Sequence, residues 1–127
     1  MCFDKSESKK VFLEAGVPTP RAEILDCSGG IVMPSLPLPF VIKPPCEGSS
    51  VGVQIIQEQE DVRPAMEEAV THGTTVLVEE FIQGRELTVG VLDGEALPVI
   101  HICPRSGFYD LSNKYPVSYT HLTLPTK

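Results

Sequence analysis

The sequence predicts an α+β fold, with two helices packed on one face of a mostly antiparallel sheet. Two segments carry apolar residues at helical spacing, whereas the other apolar runs are short and bounded by glycine or proline. Asp93-Gly94 is the strongest hairpin signal in the chain. Because the strict alternation of strands and helices of a Rossmann sheet is missing, an antiparallel arrangement is favoured.

Local signals mark where both helices begin. Asp4 followed by Glu7 is typical of a capped helix start, and Gly16 is typical of a position just beyond a helix end. These signals predict a first helix over residues 5–15. The second helix is predicted to begin at Asp61, with a proline in its first turn. Its apolar positions are Val62, Ala65, Met66, Ala69 and Val70.

The strands are predicted from the short apolar runs. A turn of small residues over 46–52 joins two of them, which predicts a hairpin-like pair. In chain order the predicted strands cover residues 21–25, 40–42, 53–56, 75–82, 86–92 and 96–102.

Composition and charge disfavour several classes of function. The 127 residues carry 10 lysines and arginines against 17 acidic residues, a net charge of −7, and such a surface repels the phosphate backbone of nucleic acids. No apolar run approaches the roughly 20 residues that span a bilayer. The cysteines and histidines show no metal-ligand spacing, so no metal ligand is assigned. A soluble, cytoplasmic protein with free thiols is therefore expected.

The small-residue turn is a candidate anion site. Gly48, Ser49, Ser50 and Gly52 leave backbone N–H groups accessible, and Lys43 ends the strand that leads into the turn. A lysine at this point can place its charge on a phosphate. The alternative interpretation is an ordinary hairpin loop, since the Walker A pattern is absent.

Two other groups could contribute to the same site. Glu79 and Glu80 end a predicted strand, where carboxylates can accept hydrogen bonds from a base or from ribose hydroxyls; the alternative is a solvated strand end. Lys114-Tyr115 ends a loop that could close over a site.

Taken together, the motifs resemble those of the ATP-grasp ligases, specifically the D-alanine–D-alanine ligases. The order and spacing of the motifs carry the resemblance more than any single motif does. The matching segments are residues 3–5, 16–20, 38–44, 47–53, 76–88, 107–110 and 114–115. The resemblance implies an ATP-grasp lid subdomain that clamps ATP against a larger domain.

The resemblance also assigns roles to individual residues. It implies that Lys5 and Lys43 contact the ATP phosphates, and that Ser49 and Ser50 lie in the loop closing over them. Ser49 and Tyr115 become the catalytic candidates near the substrate amine, and Lys114 belongs to the covering loop. The residues implied for adenine and ribose are Glu79, Glu80, Ile82 and Glu86.

The implied activity is peptidoglycan-precursor synthesis. One D-alanine carboxylate is phosphorylated by ATP, and the amine of a second D-alanine attacks the acyl phosphate. Magnesium is implied too, with its ligands expected in a missing C-terminal domain. The resemblance leaves a homodimer open for the full-length enzyme, and it implies no nucleic-acid or membrane partner.

The domain organisation is expected to be incomplete. Residues 1–116 are interpreted as the lid, truncated at both ends and inactive alone. Residues 117–127 resemble the translation of a transposon-type sequencing adapter and are interpreted as a non-native tail. The alternatives are another ATP-grasp carboxylate–amine ligase and a non-catalytic nucleotide-binding module.

Overall fold

A computed structural model describes residues 4–47, 52–103 and 121–123. The chain divides into two compact units, Met1–Ile82 and Gln83–Lys127. Each unit is built on antiparallel strand pairs. The predicted fold class, a mostly antiparallel sheet with two helices, is confirmed.

The first unit contains a four-stranded sheet made of β1 (Ala22–Asp26), β2 (Phe40–Lys43), β3 (Gln54–Ile56) and β4 (Thr75–Glu80). The strand order in this sheet is β1-β4-β2-β3. The two central strands are the most buried, since β2 and β4 each have a neighbour on both sides. The predicted pairing across the small-residue turn is confirmed, because β2 and β3 are antiparallel neighbours.

The helices begin and end close to the predicted positions. Helix α1 covers Lys5–Glu14, and the Asp4 carboxylate caps it by accepting hydrogen bonds from two backbone N–H groups. Helix α2 covers Gln59–Ala69 and begins two residues before the predicted start. Pro64 therefore lies in the second turn, where its missing N–H removes one hydrogen bond of the helix.

Helix α2 packs on one face of the four-stranded sheet and forms the main core. Residues alternate between the two faces along a strand, so Ile42 and its cross-strand partner Val78 point toward α2. Both side chains are fully buried. The buried members of this core are Cys27, Phe40, Ile42, Ile56, Val62, Ala65, Met66, Ala69, Val76 and Val78.

Helix α1 reaches the sheet from the opposite face, which differs from the expectation that both helices share one face. Leu77 and Glu79 alternate with Val78 along β4 and therefore point away from α2. Lys9 of α1 contacts the Glu79 carboxylate on this second face. A polar contact positions α1 here, and hydrophobic spacing does not reveal such a contact.

The second unit contains a three-stranded sheet and a separate hairpin. The hairpin turn at Asp93-Gly94 is confirmed: both residues have positive φ, 51° and 83°. The two long strands predicted on either side of it are each interrupted, near Gly90 and at Pro98. The strands are β5 (Glu86–Thr88), β6 (Val91–Leu92), β7 (Glu95–Ala96), β8 (Ile100–Cys103) and β9 (His121–Thr123).

Candidate functional site

The register of the sheet brings together two of the predicted site residues, Lys43 and Glu79. Val41 lies opposite Glu79 in the β2–β4 ladder, and Lys43 follows two residues later on the same face. The Lys43 ammonium contacts Oε2 of Glu79. A lysine and a glutamate that sequence analysis had placed in the same site are therefore direct partners.

Glu79 has a second partner that sequence analysis missed. Lys9 Nζ lies 2.7 Å from Oε1 of Glu79 and 2.8 Å from Oγ1 of Thr19. The Lys9 side chain is 7% exposed and that of Glu79 is 13% exposed. One signal was available: Lys9 lies four residues after Lys5, and residues at that spacing share a helix face.

The Glu79 carboxylate is ionised because it is flanked by these two cations. Burial raises the pKa of Glu79, but the hydrogen bonds from Lys43 and Lys9 outweigh this and hold the pKa below its ordinary value. The cluster of Lys9, Glu79 and Lys43, which we call the lysine–glutamate cluster, carries a net charge of +1. It is therefore a weakly cationic spot on an acidic protein.

Lys5 is anchored near the end of β2, where the small-residue turn begins. Its backbone N–H donates to the Pro45 carbonyl at 2.9 Å, and its ammonium donates to the carbonyls of Pro45 and Glu47. Burial lowers the pKa of Lys5, and the neighbouring charge of Lys43 lowers it further. Two ammonium groups that repel each other in this way form a site suited to an anion.

Glu80 and Ile82 are placed differently from Glu79. Because adjacent residues of a strand point to opposite faces, Glu80 points away from the lysine–glutamate cluster. Its carboxylate pairs with Arg21, whose Nε lies 3.1 Å from Oε2, and this exposed pair lowers the pKa of Glu80. The Ile82 residue is 60% exposed.

The remaining predicted site residues lie either in the second unit or outside the described residues. Glu86 begins strand β5 of the second unit. Four further predicted residues lie outside the described residues: Ser49, Ser50, Lys114 and Tyr115.

Within residues 4–47, 52–103 and 121–123, no group of three histidine, cysteine or acidic side chains could hold a metal ion. These ranges therefore supply no magnesium site. The helices within the same ranges are all too short or too polar to cross a membrane.

A cavity of about 440 Å³ lies beside the first turn of α1. Asp4, Glu7 and Glu47 line it, together with Lys10. Neither Lys5 nor Lys43 is among its lining residues. Its acidic lining disfavours a phosphate, so the anion site is assigned to the lysines and not to this cavity.

Comparisons with known proteins point in one direction. Residues 22–127 match the family model described as D-ala D-ala ligase C-terminus. The chain is 40% identical over 126 residues to a D-alanine–D-alanine ligase of Syntrophotalea carbinolica, covering 98% of this chain and 41% of that protein.

Solved structures agree with the sequence matches. A D-alanine–D-alanine ligase from Bacillus anthracis superposes with a TM-score of 0.76 and 30% identity, over 99% of this chain and 42% of that one. The same enzyme complexed with ATP gives a TM-score of 0.78 and 26% identity, over 99% and 40%. The chain thus spans about two fifths of the length of the relatives it matches.

Proposed function

Because this chain belongs to the D-alanine–D-alanine ligase family, we propose that it is the ATP-binding lid segment of an ATP-dependent D-alanine–D-alanine ligase. The observation that carries the proposal is that Lys5 donates hydrogen bonds to the carbonyls of Pro45 and Glu47, just beyond Lys43 at the end of β2. Two neighbouring ammonium groups match the negative charge of a nucleotide triphosphate. The ATP-complexed relative supports the same ligand.

The proposed reaction has two steps. A carboxylate oxygen of the first D-alanine attacks the γ-phosphorus of ATP, so that ADP leaves and an acyl phosphate forms. The amine of the second D-alanine then attacks the acyl carbon; inorganic phosphate leaves, and the nitrogen loses a proton. Lys5 and Lys43 stabilise the negative charge on the phosphate oxygens, and they hold the phosphates in line with the attacking carboxylate.

The other site residues keep the roles that the family resemblance implies. Ser49 and Ser50 would donate to phosphate and substrate, Tyr115 would pair with Ser49 near the amine, and Lys114 would cover the site. Adenine and ribose would be contacted by Glu79, Glu80, Ile82 and Glu86.

Magnesium would have to be held by residues outside the described ranges, because those ranges supply no ligand set for it. A cytoplasmic location fits a peptidoglycan precursor made from ATP. D-alanine is the proposed partner besides ATP, and a homodimer of the full-length enzyme is part of the proposal.

We also propose that residues 1–116 are the lid and that residues 117–127 are a non-native tail. Sequencing the source locus across the codon of Pro116 tests this. Ligase-like coding that continues without the adapter supports the proposal, and genomic continuity of residues 117–127 overturns it.

The function is tested on the full-length reading frame that contains this segment. We expect release of ADP that depends on D-alanine, with D-alanyl-D-alanine detected by mass spectrometry. Turnover with a different amine acceptor would instead support another ATP-grasp ligase. ATP binding with no product from any amino acid would support a non-catalytic module.

A further inference from the structure

We propose that Lys9 is a positioning residue, and that it holds Glu79 so that Lys43 can leave this carboxylate and bind a phosphate of ATP. This inference deepens the proposed function and rests on it. Sequence analysis assigned no role to Lys9.

The two lysines differ in their freedom to move. Lys9 is 7% exposed and is fixed by two hydrogen bonds, one to Glu79 and one to Thr19. Lys43 is 21% exposed and contacts the other carboxylate oxygen of Glu79. A phosphate that arrives from solvent can therefore attract Lys43, whereas Lys9 remains in place.

The exchange requires a second cation at Glu79. A buried carboxylate that loses its only cationic partner is strongly disfavoured, because it is neither hydrated nor paired. With Lys9 present, Glu79 keeps a partner at 2.7 Å when Lys43 turns away. Lys9 thereby lowers the cost of the movement that brings Lys43 to the phosphate.

Glu79 in turn holds Lys43 near Lys5 before ATP binds. The Lys5 ammonium donates to the carbonyls of Pro45 and Glu47, which follow Lys43 closely at the end of β2, and repulsion by the charge of Lys43 lowers the pKa of Lys5. The Glu79 carboxylate offsets part of this repulsion, and it keeps Lys43 on the face where Lys5 lies. Glu79 therefore lies at the proposed ATP site and also positions Lys43 for the phosphate.

Four variants of the full-length ligase test the proposal: Lys9→Met, Glu79→Gln, the double variant, and Lys10→Met as the control. Lys10 is on the same helix, but its side chain is 58% exposed and pairs with Glu7. We expect Lys9→Met to raise the KM for ATP on the order of tenfold, as for the loss of other groups that orient a binding residue. The KM for D-alanine should stay unchanged in Lys9→Met. The control Lys10→Met should keep the wild-type KM for ATP.

The double variant separates positioning from folding. Glu79→Gln by itself should raise the KM for ATP, because Glu79 lies at the proposed site and holds Lys43. If Lys9 acts through the Glu79 carboxylate, the double variant should have the same KM for ATP as Glu79→Gln alone. A role of Lys9 that is independent of Glu79 predicts instead that the two effects on the KM for ATP multiply. Thermal midpoints of all four variants report folding independently.

The outcomes distinguish this inference from the proposed function. A wild-type ligase with no D-alanine-dependent turnover would overturn the function itself. An active wild-type enzyme whose KM for ATP is unaffected by Lys9→Met would overturn only the positioning role. A double variant whose KM for ATP exceeds that of Glu79→Gln by the same factor by which Lys9→Met exceeds the wild type would overturn it as well.

Discussion

Lys9 and Glu79 lie 70 residues apart in the chain, yet their charged atoms are 2.7 Å apart between helix α1 and strand β4. Both side chains are largely withdrawn from solvent. The pair joins the helix that carries Lys5 to the strand that positions Lys43. It therefore connects the two proposed phosphate-binding lysines.

Replacing Lys9 should destabilise the folded chain. Lys9→Met leaves the Glu79 carboxylate with Lys43 as its remaining cationic partner, and breaking part of a buried ion pair costs about 2 kcal/mol or more. Urea unfolding of the chain measures the change in the free energy of unfolding. Lys10→Met is the matched control, because its exposed pair with Glu7 contributes on the order of 0.5 kcal/mol or less. An equal loss of unfolding free energy in both variants would contradict the buried contact between Lys9 and Glu79.

The pKa of Glu79 makes stability depend on pH in the acidic range. Its pKa in the folded protein is below the ordinary value of 4.5, so its stabilising contribution is present above pH 4.5. The contribution is lost as the pH falls through the lowered pKa. Unfolding midpoints measured from neutral to acidic pH should therefore fall more steeply for the wild type than for Glu79→Gln.

Other carboxyl groups also have lowered pKa values, but they are present in both proteins and cancel in the comparison. These groups are Asp4, Glu23, Asp26 and Glu80. Parallel curves for the wild type and Glu79→Gln would show that Glu79 is not held by the two lysines.

Gly52 should resist substitution because two effects act there together. Its φ is +68°, and an added Cβ would lie 2.9 Å from Cγ of Pro44. Gly16 has a φ of +69° but has no atom within 4 Å of its added Cβ. In both variants alanine must adopt a positive φ that glycine tolerates far better. Only Gly52→Ala adds a steric clash, which costs about 1 kcal/mol or more. Chemical denaturation should give Gly52→Ala a lower free energy of unfolding than Gly16→Ala. The reverse order would refute the close contact with Pro44.

Asp4 should stabilise α1 as its N-cap. Its carboxylate accepts hydrogen bonds from the backbone N–H groups of Ser6 at 2.9 Å and Glu7 at 3.3 Å. Asp4→Ala should lower the free energy of unfolding by about 1 kcal/mol. Glu58 is the matched control, because it precedes α2 without any side-chain capping bond, and its replacement by alanine should have almost no effect.

Local signals predicted much of the fold. The cap at Asp4, the end of α1 at Gly16 and the hairpin at Asp93-Gly94 all depend on interactions within a few residues. The break at Pro98 was harder to predict, because the apolar residues around it continue the pattern of a strand.

The candidate site was predicted in part. The small-residue turn indicated Lys43, the end of a predicted strand indicated Glu79, and the family resemblance implied Lys5. All three residues lie in the first unit. Lys9 was missed because a lysine on a helix is normally solvated, and only its burial against Glu79 distinguishes it.

The sequence by itself determined which residues form helices and turns, and the order of motifs that identifies the family. Short-range hydrogen bonds and side-chain spacing suffice for those features, because both depend on residues that are close together in the chain. Only the tertiary structure decided which carboxylate meets which lysine, and that α1 contacts the sheet on the face opposite α2. Those contacts depend on strand register and helix packing between residues far apart in the chain, where one step along a strand turns a side chain to the other face.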